Sequence, residues 1–143
     1  MRKIFPIVIA LLLISCSGDD VNTRCNFLLD VNVNTTINLN LPQFNTLNFP
    51  GGVAYIPQIA NGGIYLYRLN NETIRAWDGA DPNLTPQPCS LMTLTGTNVS
   101  SSCGEGNEYS LITGGPLGQN PPPCGLRAYN VFPLGNGIYS ITD

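Results

Sequence analysis

The sequence predicts an all-β fold of short antiparallel strands, and three observations carry that prediction. From Val31 to Leu41, apolar Val31, Val33, Ile37, Leu39 and Leu41 alternate with polar Asn32, Asn34, Thr36, Asn38 and Asn40. Period-2 alternation is the pattern of a strand with one buried face. No segment after residue 15 shows the 3.6-residue period of a helix. Twelve prolines and fifteen glycines cut the rest of the chain into short runs, as in domains built from many small strands.

In chain order, residues 1–15 form a secretory signal. Arg2 and Lys3 are the basic start, and Ile4 to Ile14 is an apolar run broken by Pro6 and too short to span a bilayer. The run ends Leu13-Ile14-Ser15-Cys16, which resembles a bacterial lipoprotein box. That resemblance implies a lipid on the Cys16 thiol, with residues 16–24 as a tether. Ser17-Gly18-Asp19-Asp20 resembles the acidic tag that exports some Gram-negative lipoproteins to the cell surface; a plain solvated tether reads equally well. The expected location is the outer membrane, on its periplasmic face or at the cell surface.

Residues 25–143 are expected to form one domain. Pro42 ends the alternating strand, and Gln43 to Asn48 reads as a connector. Phe49-Pro50-Gly51-Gly52 is a turn. Val53 to Ile59 has strand composition, and Pro57 marks it as an edge. Asn61-Gly62-Gly63 turns into Ile64–Leu69, Asn70-Asn71 turns back, and Thr73 to Trp77 returns, an antiparallel meander. Leu91–Leu94 and Thr97–Ser100 flank a turn at Thr95-Gly96. Tyr109–Thr113 is the next strand, and Gly114 to Pro123 is a Gly- and Pro-rich loop. A last hairpin turns at Gly135-Asn136-Gly137.

Charge narrows the function classes. Without residues 1–15, Arg24, Arg68, Arg75 and Arg127 face nine acids, a net charge of about −5. Phosphate binding needs clustered Lys and Arg, so nucleic acid is excluded as an expected partner. Four cysteines follow Cys16: Cys25, Cys89, Cys103 and Cys124. An even count in an exported chain reads as two disulfides, with three connectivities open. Structural zinc fits poorly, because the chain has no Cys-x-x-Cys pair and no histidine.

The stretch Ala76-Trp77-Asp78-Gly79-Ala80-Asp81-Pro82-Asn83-Leu84, then Cys89-Ser90-Leu91-Met92, then Cys103-Gly104-Glu105-Gly106-Asn107-Glu108-Tyr109, resembles the cluster-binding half of a Rieske iron–sulfur domain. Gly125-Leu126-Arg127-Ala128-Tyr129-Asn130-Val131 and Gly137–Ile141 resemble that family's closing hairpin. The resemblance covers roughly Gly62 to Thr142. It implies a small antiparallel sandwich or barrel of the Rieske (iron–sulfur protein) type, with a subdomain of two cluster-type loops. In that alignment Asp81 stands where the first ligand Cys would be and Leu84 near the ligand His. Cys103 falls at a ligand position, and Gly106 three residues on, where the second His is required. A Rieske centre needs two imidazoles and two thiolates, so the expectation is a Rieske-like domain without its cluster. The resemblance also implies a bridge between the two loops, Cys89 to Cys103, which leaves Cys25 and Cys124 for the other.

Other residue sets offer weaker chemical signals. Asp78, Asp81 and Asn83 could offer oxygens to a hard cation, yet Asp-Gly and Asp-Pro are ordinary turn pairs. Glu105 and Glu108 could act as paired carboxylates, or simply be exposed loop acids. Ser100, Ser101 and Ser102 lack a base, because no His and no mature Lys exist. Gly114, Gly115 and Gly118 open no helix and form no phosphate loop. The aromatic residues could stack on a sugar, but core packing suits them better. The expected function is therefore a non-enzymatic envelope lipoprotein with a structural or interaction role and no cofactor. The alternative is a Rieske-type [2Fe-2S] electron-transfer protein.

Overall fold

The protein's computed structural model describes residues 25–143. The signal, Cys16 and the tether lie outside the described residues. Strands β1 (Asn34–Asn38), β2 (Val53–Ile56), β3 (Ile64–Arg68), β4 (Ile74–Asp78), β8 (Ala128–Gly135) and β9 (Ile138–Thr142) form one antiparallel sheet in the order β1-β9-β8-β4-β3-β2. Strands β5 (Thr93–Thr95), β6 (Asn98–Ser100) and β7 (Glu108–Ser110) form a second, three-stranded sheet. The fold is all-β, as the sequence predicts, and divides into a larger sheet and a small loop-bearing unit.

Strands β3 and β4 are the wall between two cores. All five residues of β3 are buried. Successive side chains of a strand point to opposite faces, so Ile64, Leu66, Ile74 and Ala76 turn one way and Tyr65, Tyr67 and Trp77 the other. The first group joins Val33, Ile37, Leu39, Phe44, Leu47, Ala54, Tyr129 and Ile141 in an aliphatic core. The second joins Met92, Val99, Tyr109, Leu111 and Leu126 in an aromatic core under the three-stranded sheet.

The expected strand over residues 31–41 is shorter in the structure. β1 ends at Asn38, and Leu41 is exposed. Pro42–Asn48 is a 3₁₀ turn and more than a connector. Its proline sits at the first position, where the missing N–H costs nothing. Residues three apart share one face of a 3₁₀ helix, so Phe44 and Leu47 both enter the aliphatic core. The strand expected over Tyr109–Thr113 stops at Ser110, because Gly114 N–H donates to the Ser110 carbonyl at 2.7 Å and turns the chain back.

β8 pairs with β9 through a turn in which Asn136 (φ +55°) and Gly137 (φ +75°) are both left-handed. That is what a tight two-residue hairpin requires, and Asn-Gly supplies it at least cost. β8 also pairs with β4, at Ala76 with Tyr129 and Trp77 with Ala128. This insertion of the last hairpin between the meander and β1 closes the aliphatic core.

Candidate functional site: a buried polar clasp between two loops

β4 ends by placing Asp78 inside the protein, fully buried. An ionised carboxylate there needs donors on every side, and five are present. Asn61 N–H (3.2 Å), Asn61 Nδ2 (2.9 Å) and the Tyr129 hydroxyl (2.7 Å) reach Oδ2. Gly62 N–H (3.1 Å) and Ala80 N–H (3.0 Å) reach Oδ1. Asp78 thus joins the turn before β3 to the first residues of the first loop and to β8. A Cβ on Gly62 would come 2.5 Å from the Ala80 nitrogen, so this approach requires glycine.

Asp81, three residues on, is also fully buried. It accepts from the Ser101 hydroxyl (2.6 Å) and Asn107 Nδ2 (2.8 Å) at Oδ2, and from the Tyr109 hydroxyl (2.6 Å) and Asn83 N–H (3.0 Å) at Oδ1. Three of those donors belong to the second loop and the strand that follows it. Charge-assisted bonds of this kind are about twice as strong as neutral ones. Asn83 continues the network: its Nδ2 donates to the Tyr109 hydroxyl (2.7 Å) and to the Cys124 carbonyl (2.9 Å), and its Oδ1 accepts from Cys124 N–H (3.0 Å). One loop therefore holds the second loop and the proline-bearing loop through a single run, Asp81 to Asn83.

The hydroxyls feel these carboxylates. Burial, then the bond to Asp81, holds the Tyr109 pKa far above the ordinary 10.0. Burial, then the bond to Asp78, does the same to Tyr129. Both therefore stay protonated and remain donors throughout the physiological range.

Two covalent ties reinforce the clasp. Cys89 is bridged to Cys103, 14 positions apart with Cα atoms 4.9 Å apart. Cys25 is bridged to Cys124, 99 positions apart with Cα atoms 5.6 Å apart. Ser102 N–H also donates to the Cys89 carbonyl at 2.9 Å. Trp77 supports the loops from below. Its Nε1 donates to the Leu111 carbonyl at 2.8 Å, and its ring packs on Gly114, where a side chain would overlap it.

The four positions aligned with Rieske cluster ligands do not make a ligand set. Asp81 has four protein donors around its two oxygens. Leu84 is half-buried and carries no donor atom. Cys103 is spent in its bridge. Gly106 has φ +79°, and a Cβ there would lie 2.7 Å from the Ser101 carbonyl oxygen. No side chain fits that position without movement of the loop.

The remaining candidates are dispersed. Asp78, Asp81 and Asn83 share the loop, but their polar atoms serve the bonds above and do not converge on a cation. Glu105 and Glu108 are both exposed, and Glu108 accepts from Asn98 Nδ2 at 2.9 Å. Among the described residues no group of three or more His, Cys, Asp or Glu is placed to hold a metal ion. Of the three serines, Ser101 alone acts in the network. Sequence reasoning passed over Ser101, Asn107, Asn83 and Asn61 as partners. The usable signal was Asn83 two residues after Asp81, the spacing of an Asx-type turn.

No family model matches the chain, and no curated protein matches it. Two solved structures are similar. One is from the complex of reduced oxygenase and oxidized ferredoxin in carbazole 1,9a-dioxygenase, with 14% identity over 80% of this chain and 94% of that one, and a TM-score of 0.46. The other is assigned as the NADH-dependent nitrite reductase small subunit from Mycobacterium tuberculosis, with 18% identity over 80% of this chain and 97% of that one, and a TM-score of 0.43.

Proposed function

We propose that this chain is an exported, lipid-anchored protein of the outer membrane whose Rieske-like domain has exchanged a metal cluster for a protein-only clasp. It serves there as a structural or interaction component that engages another envelope protein, and it is not an enzyme. The observation that carries this reading is Asp81. The residue at the first ligand position is buried and surrounded by four donors, three of them from the second loop and β7. A clasp of that kind does what a cluster shared between two loops would do mechanically, without redox chemistry.

Three further features support the reading. The signal and the Leu13-Ile14-Ser15-Cys16 box favour export and lipidation. Two disulfides suit an oxidising compartment. The absence of His and of Lys after residue 15 removes the commonest general base and the usual amine nucleophile. The test is to purify the native protein from its own membranes and to measure the N-terminal peptide mass and visible absorbance on one sample. A diacylated or triacylated Cys16 in a colourless protein is expected. An unmodified N-terminus at another residue contradicts the anchoring, and visible iron–sulfur absorbance contradicts the loss of the cluster.

A further inference from the structure

The strap that leads into the domain carries apolar side chains that the fold does not bury. Phe27 is 43% exposed and Leu29 is 64% exposed. This is not a loose segment. Leu29 N–H donates to Asn61 Oδ1 at 2.8 Å, and its carbonyl accepts from Asn61 Nδ2 at 3.1 Å and from Arg127 Nη1 at 3.0 Å. The backbone is fixed on both sides while the side chain is presented outward. Leu28, between the two, lines a cavity of about 530 Å³ with Cys25, Pro82 and Arg127. Asp30 on this strap pairs with Arg127 at 3.0 Å, and the same guanidinium lies 4.0 Å from Asp143.

Chain length says what covers these residues. Cys25 is fixed to the domain through Cys124. Nine peptide steps separate it from Cys16, at most about 3.6 Å each, so the anchor lies within about 32 Å of Cys25 when fully extended. A relaxed coil of that length spans roughly 17 Å. Phe27 and Leu29 lie two and four residues from the point of attachment. Another exposed apolar pair, Phe132 and Leu134, lies farther along the sheet: Phe132 is level with Thr36 in the middle of β1, and Leu134 lies beyond it toward the Asn136-Gly137 turn. There Leu39 N–H bonds the Gly137 carbonyl, whereas Val33 at the near end bonds Asp143. The six steps from Val33 to Leu39 cover about 20 Å.

We propose that Phe27 and Leu29 form a membrane-contact surface that rests in the lipid interface and fixes the orientation of the domain, leaving the Phe132-Leu134 hairpin pointing away. This rests on the reading of Cys16 as the lipid anchor. The mature chain is acidic, so contact is through apolar burial and does not need anionic headgroups.

The test uses the full lipidated chain in phosphatidylcholine vesicles whose acyl chains carry bromine, a short-range quencher of tryptophan. The native Trp77 is buried and gives the background. Leu29→Trp, with Phe27→Trp as a second reporter should the first not fold, is expected to lose at least half of its added fluorescence, and Phe132→Trp none. Vesicle flotation and the mass of the Cys16 peptide are read on the same samples. Flotation without quenching at either strap position overturns the inference and leaves the anchoring intact, as does quenching at Phe132→Trp instead. A strap tryptophan unquenched by bromine but shielded from aqueous iodide shows contact between copies of the chain, and also overturns it. Failure to float with an unmodified Cys16 overturns the anchoring and the inference with it.

Discussion

The two cores of this domain are held by different physics. The core over β1, β9, β8, β4, β3 and β2 is aliphatic but for Phe44 and Tyr129, and is bounded by a continuous six-stranded ladder. Apolar burial, worth about 25 cal/mol per Å², organises it. The core beneath β5, β6 and β7 is small and aromatic, and each of those strands has three residues. Such short strands offer little ladder or apolar area. What they lack is supplied by Asp81 and its donors, by Asn83, and by the Cys89–Cys103 bridge. Polar and covalent ties thus concentrate where burial cannot hold the chain.

Breaking the ties should therefore separate the two regions, and the largest effect is expected where a tie spans both. Cys25→Ala opens a link of 99 positions, for which the chain-entropy argument gives a loss of about 4.7 kcal/mol. Cys89→Ala opens one of 14, with a loss of about 3 kcal/mol. Urea unfolding of the two variants checks the ranking. Equal losses, or the reverse order, would show that chain entropy is not the governing contribution.

Next in size is Asp81→Ala, which leaves the Ser101, Asn107 and Tyr109 donors without their acceptor. A loss of about 3 kcal/mol is expected, since each buried orphan costs roughly 1–3. Hydrogen exchange should localise it. Amides of Thr97–Tyr109 should exchange faster, while those of β1 and β9 should keep their protection. Uniform acceleration over both sheets would mean that the regions are one cooperative unit.

The smallest effect is with pH. Tyr109, in the loop region, and Tyr129, in the sheet region, both have a pKa raised above 10.0 in the folded protein. An acid whose folded pKa is raised contributes stability that is complete below pH 10. That contribution falls as pH rises further, because the unfolded chain releases its proton first. Urea midpoints should be flat up to about pH 10 on this account and decline above it. Tyr109→Phe and Tyr129→Phe should each remove part of the decline. A decline unchanged in both would assign it to other groups.

Much of the fold could be read from residues alone, and the two regions differ in this as well. Alternation of apolar and polar side chains located β1, and the turns at Asn61-Gly62-Gly63 and Asn70-Asn71 located β3 and β4; buried on both faces, β3 leaves a continuous run and no two-residue period. The step at Trp77-Asp78 and the ordered loops after it placed the small sheet. The clasp was hidden. Asp81-Pro82 reads as a turn, and nothing near Ser101 or Asn107 in the chain marks either as a partner. Their partners lie 20 and 26 positions away in the chain, and no local pattern reports contacts at that range. The Phe132-Pro133-Leu134 run misleads in the other direction, since its apolar composition suggests burial and the structure exposes Phe132 and Leu134.

The central claim is that Asp81 and its donors hold the two loops in place of a metal centre. Anaerobic incubation of the purified chain with ferrous iron and sulfide tests it most directly, with the Cys89–Cys103 bridge intact in one sample and reduced in another. After gel filtration both samples should be colourless and carry no stoichiometric iron, because carboxylate is a hard ligand, Leu84 and Gly106 offer no donor, and no imidazole exists. Retained iron near two atoms per chain, with visible charge-transfer bands, would contradict the account.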